Sequence, residues 1–246
     1  MAPQQRTALV TGAAGGIGSA LVNRFAAAGD RVVALGRSAD SLARVAQAEP
    51  VVCDVTDERS VAAAFAEIGA VDLLVNNAGV GESAPLHKTT LEAWTQHLEV
   101  NATGPFLCMR AVVPGMRERG AGVIVTVAST AGRVGTPYTA AYTASKHAAI
   151  GLTRAVAAEV AGTGVRVNAV CPTFVRTEMT QRSIANIVRR TSRTPEQAER
   201  ALAESSPLGR LLEADEVADA VVYLASPAAA AINGQTLVLD GGGIQA

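Results

Sequence analysis

The sequence predicts an α/β fold, a single-domain, doubly wound parallel sheet of about seven strands with helices on both faces. Short β-branched runs alternate with longer amphipathic segments, as in a parallel sheet covered by helices. The runs are apolar almost throughout, which suits strands buried on both sides. No linker, repeat or low-complexity tract divides the 246 residues. In order, the candidate strands are Ala8–Val10, Arg31–Leu35, Val51–Val52, Leu73–Val75, Val123–Val127, Val165–Val170 and Thr236–Leu239. Between them Ile17, Leu21 and Phe25 recur at helical spacing, as do Leu42 and Val45, then Val61, Phe65 and Ile68, then Val217, Val221 and Leu224. The stretch 179–212 is longer and more charged than the other connections and follows a strand, where open α/β sheets bind ligands. A mobile lid-like insertion and a merely solvated helical pair are both consistent with it.

With 49% hydrophobic and 17% charged residues, the chain 1–246 reads as one globular domain rather than a disordered one. Aromatics are only 3%, so the core must be built from Ala, Val, Leu and Ile. A formal net charge of -1 gives no reason to expect nucleic acid or an anionic membrane as partner. Cys53, Cys108 and Cys171 are widely spaced and form no CxxC or Cys/His pattern, so no metal site is expected. They read as reduced core thiols. The start lacks the apolar stretch of a signal peptide and no run is apolar enough to span a bilayer, so a cytoplasmic location is expected.

The first strand runs into Thr11-Gly12-Ala13-Ala14-Gly15-Gly16-Ile17-Gly18 and then an amphipathic helix. Glycines there let the backbone turn tightly and approach a pyrophosphate resting on the positive helix end, the Rossmann-like arrangement. Thr11, Gly12, Gly16, Ile17 and Gly18 are therefore candidate cofactor-binding residues. The second strand ends at Leu35-Gly36-Arg37-Ser38. An acid at this point would bind a ribose 2'-hydroxyl and repel a 2'-phosphate. None is present, while Arg37 and Ser38 offer a guanidinium and a hydroxyl suited to phosphate. NADP(H) is favoured over NAD(H), with a solvated loop arginine as the alternative. Asp54 and Val55 follow the third strand at the height of an adenine ring, and Asn76-Asn77-Ala78-Gly79 closes the fourth. Small residues there let the backbone lie near a ribose, while the Asn amides can tie neighbouring strands.

Tyr142 and Lys146 are four residues apart in an alanine-rich helical run, hence on one helical face. A phenol has a pKa of about 10. A fixed cation about 4 Å away contributes roughly 4 kcal/mol at an effective dielectric of about 20. Lys146 is thus expected to bring Tyr142 toward neutrality, where it can exchange the proton that interconverts a ketone and an alcohol. Ser129, at the end of the fifth strand, can hydrogen-bond a substrate carbonyl. No Gly-x-Ser-x-Gly occurs, and His87, His97 and His147 are scattered.

The Thr-Gly-x-x-x-Gly-x-Gly loop, Asn-Asn-Ala-Gly, Ser129 thirteen residues before Tyr142, and Tyr-x-x-x-Lys resemble the short-chain dehydrogenase/reductase family from Thr7 to Gly243. The resemblance implies that Tyr142 donates or accepts the proton, Ser129 orients the carbonyl, and Lys146 binds the nicotinamide ribose. It also implies that Asn101 completes a proton relay through water. By the same resemblance Arg37 reads the 2'-phosphate, Asp54 and Val55 flank the adenine, and Asn77, Ala78 and Gly79 line the ribose. Pro172, Val175 and Thr177 lie near the nicotinamide. Two positions depart from the family pattern. Thr173 stands where Gly is frequent, and Gly15 stands where many NADPH-using members carry a basic residue. Members are usually tetramers, so a homotetramer is expected. Residues 171–179 and the long insertion resemble 3-oxoacyl and polyketide ketoreductases and, almost as much, hydroxybutyrate-type dehydrogenases. The expected substrate is a small ketone or alcohol, with Tyr138, His87, Arg133, Phe174 and Met179 facing its pocket. Arginines at 182, 189, 190, 193 and 200 make the insertion basic, suiting a carrier's phosphates or simply a solvated face.

Overall fold

The computed structural model describes residues 5–245. Residues 1–4, on which the expectation of no apolar leader partly rests, and residue 246 lie outside the described residues. In chain order the elements are β1 (Thr7–Thr11), α1 (Gly16–Ala27), β2 (Arg31–Gly36), α2 (Ala39–Leu42), β3 (Glu49–Val52), α3 (Glu58–Ile68), β4 (Leu73–Asn76), α4 (Leu91–Leu98) and α5 (Gly104–Arg119). There follow β5 (Gly122–Val127), α6 (Ala140–Glu159), β6 (Val165–Pro172), α7 (Glu178–Arg190), α8 (Pro195–Ala203), α9 (Ala214–Ala225) and β7 (Thr236–Leu239). All seven strands are parallel and lie in the order β3-β2-β1-β4-β5-β6-β7.

Each expected strand is present, most of them a residue or two longer than their apolar runs. The interior strands carry mostly apolar side chains because both sheet faces are covered there, while the edge strand β3 is largely exposed and the edge strand β7 largely half-buried. On β1, Leu9 enters the core with Phe65, Met116 and Ile124, while Val10 joins Phe25, Val217 and Val221 on the opposite face. Burying such a side chain contributes about 1.5–3 kcal/mol, so a one-residue slip in register would cost many of these contacts at once. One helical expectation fails. α2 closes at Leu42, and Val45 is reached by a turn in which its N–H bonds the Leu42 carbonyl at 2.9 Å. Two apolar residues three apart fit a single turn as well as a helix.

The strand order changes direction between β1 and β4, so a crevice opens at their C-terminal ends. Residues 179–212 form α7 and α8, the latter started by a capping box between Thr194 and Gln197. This excursion leaves and returns at one point. Val175 pairs with Leu212, the Arg176 N–H bonds the Leu212 carbonyl at 2.8 Å, and the Arg176 guanidinium holds Glu199 and Glu213. Among the described residues no helix is long and apolar enough to cross a membrane.

Candidate active site

The glycine loop is packed too tightly for side chains. Gly12 has φ 63°, and a Cβ there would come within 2.7 Å of the Ala78 Cα. A Cβ on Gly18 would overlap the Gly12 carbonyl and lie 2.8 Å from the Ala13 Cα. A Cβ on Gly16 would stand 3.1 Å from the Thr177 Cγ2, so the loop is flanked by the end of β4 on one side and the β6–α7 connection on the other. Thr11 and Asn77 provide the tie between them. The Thr11 hydroxyl accepts the Asn77 and Ala78 N–H groups at 3.0 and 2.9 Å, and the Asn77 amide donates to the Thr11 and Gly12 carbonyls at 3.0 and 3.1 Å. Both side chains are spent on holding β1 to β4. α1 begins beyond Gly15 with no side-chain cap, so its first N–H groups remain available to an anion. A dinucleotide's pyrophosphate fits this cradle. We expect Gly18→Val to weaken NADPH binding at least 100-fold in a fluorescence titration, with the far-UV circular dichroism unchanged.

Around the cradle, Arg37 is exposed and has no ion-pair partner among the described residues, while Ser38 caps α2 by accepting the Ser41 N–H. The Asp54 carboxylate accepts the Thr56 N–H and hydroxyl at 2.9 and 2.8 Å. Val55 is buried, and a Cβ on Gly104 would lie 2.9 Å from its Cγ2, so only its backbone can face a ring. Pro172 ends β6, Thr177 caps α7, and Ile17 and Val175 pack into the core beneath them. Thr173 has no left-handed backbone, and its N–H bonds the Leu239 carbonyl at 3.1 Å, so the β-branched residue is absorbed by continued pairing with β7.

Tyr142 and Lys146 project from α6 beside this crevice. Lys146 is 5% exposed, its Nζ donates to the Val127 carbonyl at 2.9 Å, and it stands 5.8 Å from the centroid of the Tyr142 ring. A Cβ on Gly79 would be 3.6 Å from that Nζ. Burial pushes Lys146 down to about 8. Burial also pushes the Tyr142 phenol up, and the neighbouring Ser129 hydroxyl offsets part of that rise. The expectation of a phenol made acidic by Lys146 is thereby corrected. The cation is turned toward a carbonyl, and desolvating a phenolate costs more than it returns. Ser129 lies two residues past β5 and accepts the Ala131 N–H at 3.1 Å.

Asn101 occupies a π-helical turn, Glu99–Thr103, between α4 and α5. Its amide accepts the Val80 N–H and donates to the Val80 carbonyl, each at 2.9 Å, and donates to the Ser145 hydroxyl at 2.9 Å. Both of its donors are therefore committed. Pro105, four residues on, has no N–H for the Asn101 carbonyl, which leaves that oxygen without its α-helical donor beside the site.

The family model described as enoyl-(acyl carrier protein) reductase matches residues 12–243. The chain belongs to the short-chain dehydrogenase/reductase family. It is similar to 2-(R)-hydroxypropyl-CoM dehydrogenase of Xanthobacter autotrophicus, with 44% identity over 96% of this chain and 97% of that one. It is also similar to galactitol 2-dehydrogenase (L-tagatose-forming) of Cereibacter sphaeroides, with 42% identity over 96% and 93%. The structure of a single-residue variant of actinorhodin polyketide ketoreductase with NADPH superposes with a TM-score of 0.91, at 38% identity and covering 98% of both chains. This short-chain dehydrogenase/reductase is thus an NAD(P)-dependent enzyme acting on a CH–OH group.

Of the five residues expected at the substrate pocket of this short-chain dehydrogenase/reductase, only Met179 lines the cleft of about 360 Å³ beside the site. Arg133 turns away to bond the Thr236 hydroxyl, and His87 and Tyr138 are exposed outside the cleft, Tyr138 with φ 66°. Phe174 lies at the base of the α7–α8 excursion. His97, set aside in the sequence as scattered, is buried. Its Nε2 accepts the Glu82 N–H at 3.0 Å, its Nδ1 faces the Ala93 carbonyl at 2.7 Å, and its ring meets Tyr142 edge-on at 6.3 Å. With Asn101 it fixes the loop of residues 79–83 against the phenol. Its place one turn before Asn101 was the available signal.

Proposed function

We propose that this enzyme transfers a hydride between NADP(H) and a ketone or secondary alcohol, as a 3-oxoacyl-type or related carbonyl reductase. The observation that carries the reading is the convergence of Ser129, Tyr142 and Lys146 beside Gly79 and Gly81, at the sheet edge where the glycine cradle also opens. A bound nicotinamide would supply or take the hydride. Tyr142, kept protonated at neutral pH by its surroundings, donates to the carbonyl oxygen. The Ser129 hydroxyl, one turn of chain from the strand end, hydrogen-bonds the same oxygen and favours its developing charge. Lys146 holds the nicotinamide ribose. Asn101 positions Val80 and Ser145 through its amide and offers its backbone carbonyl to a relay water.

Arg37 supports NADP(H), since its guanidinium meets no carboxylate among the described residues and the end of β2 carries no acid. An NAD-dependent catabolic alcohol dehydrogenase is the second reading, favoured by the two dehydrogenases of hydroxy compounds at 42–44% identity. We read the protein as cytoplasmic, in keeping with three buried free thiols, and as a homotetramer that covers the exposed Phe106 of α5. α7 and α8 serve as a lid on one domain.

A panel of 3-oxoacyl thioesters, simple ketones and polyols, assayed with both nicotinamides, tests the reading. Reduction of 3-oxoacyl thioesters with at least tenfold preference for NADPH, lost in Arg37→Ser, is the expected outcome. Preference for NADH with oxidation of polyols alone would give the second reading.

A further inference from the structure

The cleft beside Tyr142 is lined mainly by polar and charged residues. Its lining is apolar only at Val80 and Met179 apart from glycine, and α7 turns Met179, Arg182, Asn186 and Arg189 toward it at intervals of three and four residues, in one stripe. The stripe starts next to the phenol. A Cβ on Gly81 would touch both ends of that junction, 3.0 Å from the Met179 Sδ and 3.3 Å from the Tyr142 Cε2. At about 1.5 Å per residue, Arg182 stands roughly 4–5 Å and Arg189 roughly 15 Å along the helix from Met179.

Most polar groups in the cleft are already committed. Asn186 donates to the Ser83 carbonyl and hydroxyl at 3.1 and 2.9 Å, clamping α7 to the loop of residues 79–83. His97 accepts the Glu82 N–H. The two arginines are different. Arg182 has only Glu178, one turn back on its own helix, in an exposed pair that contributes little. Arg189 has no hydrogen-bond or ion-pair partner among the described residues. Among the described residues Glu82 is the one carboxylate lining the cleft, and with Glu178 paired to Arg182 the Arg189 guanidinium is left without a partner. An apolar acyl chain laid along this stripe would strip water from the guanidiniums and return nothing.

We propose that the substrate carries an anionic group, carboxylate or phosphate, roughly 5–15 Å from the reacting carbonyl, and that Arg182 and Arg189 bind it. The placement of the reacting end rests on Tyr142 as proton donor. Two pairs of ketones test it, with kcat/KM measured for each using NADPH and NADH. The first is 9-oxodecanoate against its neutral amide, and the second is 8-oxononyl phosphate against 9-hydroxynonan-2-one. The charged member of at least one pair is expected to be favoured at least about tenfold, through KM, as charge-assisted hydrogen bonds would give. Preference in the first pair assigns a carboxylate, and preference in the second a phosphate. In Arg182→Gln/Arg189→Gln the ratio should fall to within a factor of two of unity. Ratios near one in the parent enzyme for both pairs, or a preference that survives the double substitution, overturn the proposal.

If none of the four ketones is reduced with either cofactor, calorimetry of both pairs binding to the NADPH-loaded protein decides. Tighter, arginine-dependent binding of the charged member of either pair upholds the anion site while the carbonyl-reductase reading falls. Equal binding within both pairs overturns the site.

Discussion

Tyr142→Phe is expected to bind NADPH with near-parental affinity and to lose at least two orders of magnitude in kcat. The substitution removes one oxygen and leaves the ring, so the edge-on contact with His97 and the packing against Gly81 and Met179 persist. The loss should therefore fall on turnover, with KM and cofactor binding little changed. Because burial holds the phenol above its ordinary range, Tyr142 keeps its proton throughout the neutral region. The neighbouring groups are poor substitutes. Ser129 is an alcohol and a far weaker acid than a phenol, the Lys146 ammonium donates to the Val127 carbonyl, and the His97 ring nitrogens are occupied by Glu82 and Ala93. A variant retaining near-full activity would remove Tyr142 from the proposed role.

Lys146→Met is expected to pull stability and activity in opposite directions. Burial lowers Lys146 from its ordinary 10.5 to about 8. Between those values the unfolded chain holds a proton that the folded chain has released, so stability rises with pH across that window. Below pH 8 both states are protonated and the folded state bears the full cost of a buried ammonium, roughly 3 kcal/mol. Methionine removes that cost and forfeits the hydrogen bond to the Val127 carbonyl, which contributes about 1 kcal/mol. Differential scanning calorimetry at pH 7 should then give a Tm several degrees above the parent, the gap closing as pH approaches 10. Turnover should fall at least 100-fold if Lys146 holds the nicotinamide ribose as proposed. A lower Tm at pH 7 would mean that the ammonium is better compensated than its surroundings indicate.

The elements differ in how far they could be read from the chain. β7 was legible to the residue, and β1 to β6 nearly so, because the interior strands are buried and must be apolar while the edge strands β3 and β7 still carry short apolar runs. α2 was not, since Leu42 and Val45 suit a turn equally well. At the site, the glycine loop could be read because Gly12 and Gly18 lie where any Cβ collides with backbone. Tyr142 and Lys146 could be read because helical spacing alone puts them on one face. The electrostatic sense of that pair could not, because it depends on how deeply each group is buried and on the carbonyl that Lys146 meets. His97 and the pocket residues were equally hidden. Their roles arise where α4, the loop of residues 79–83 and α7 pack together, and sequence separation gives no measure of that contact.

By itself the sequence determined the parallel α/β sheet, its glycine cradle and the order of Ser129, Tyr142 and Lys146, because these rest on periodicity and on steric limits that are local to the chain. Only the tertiary structure decided which way the Tyr142 and Lys146 proton affinities move, which groups wall the cleft and which of them remain unpaired. Those properties are set by solvent exclusion and by partners distant along the chain, and both exist only once the helices have packed.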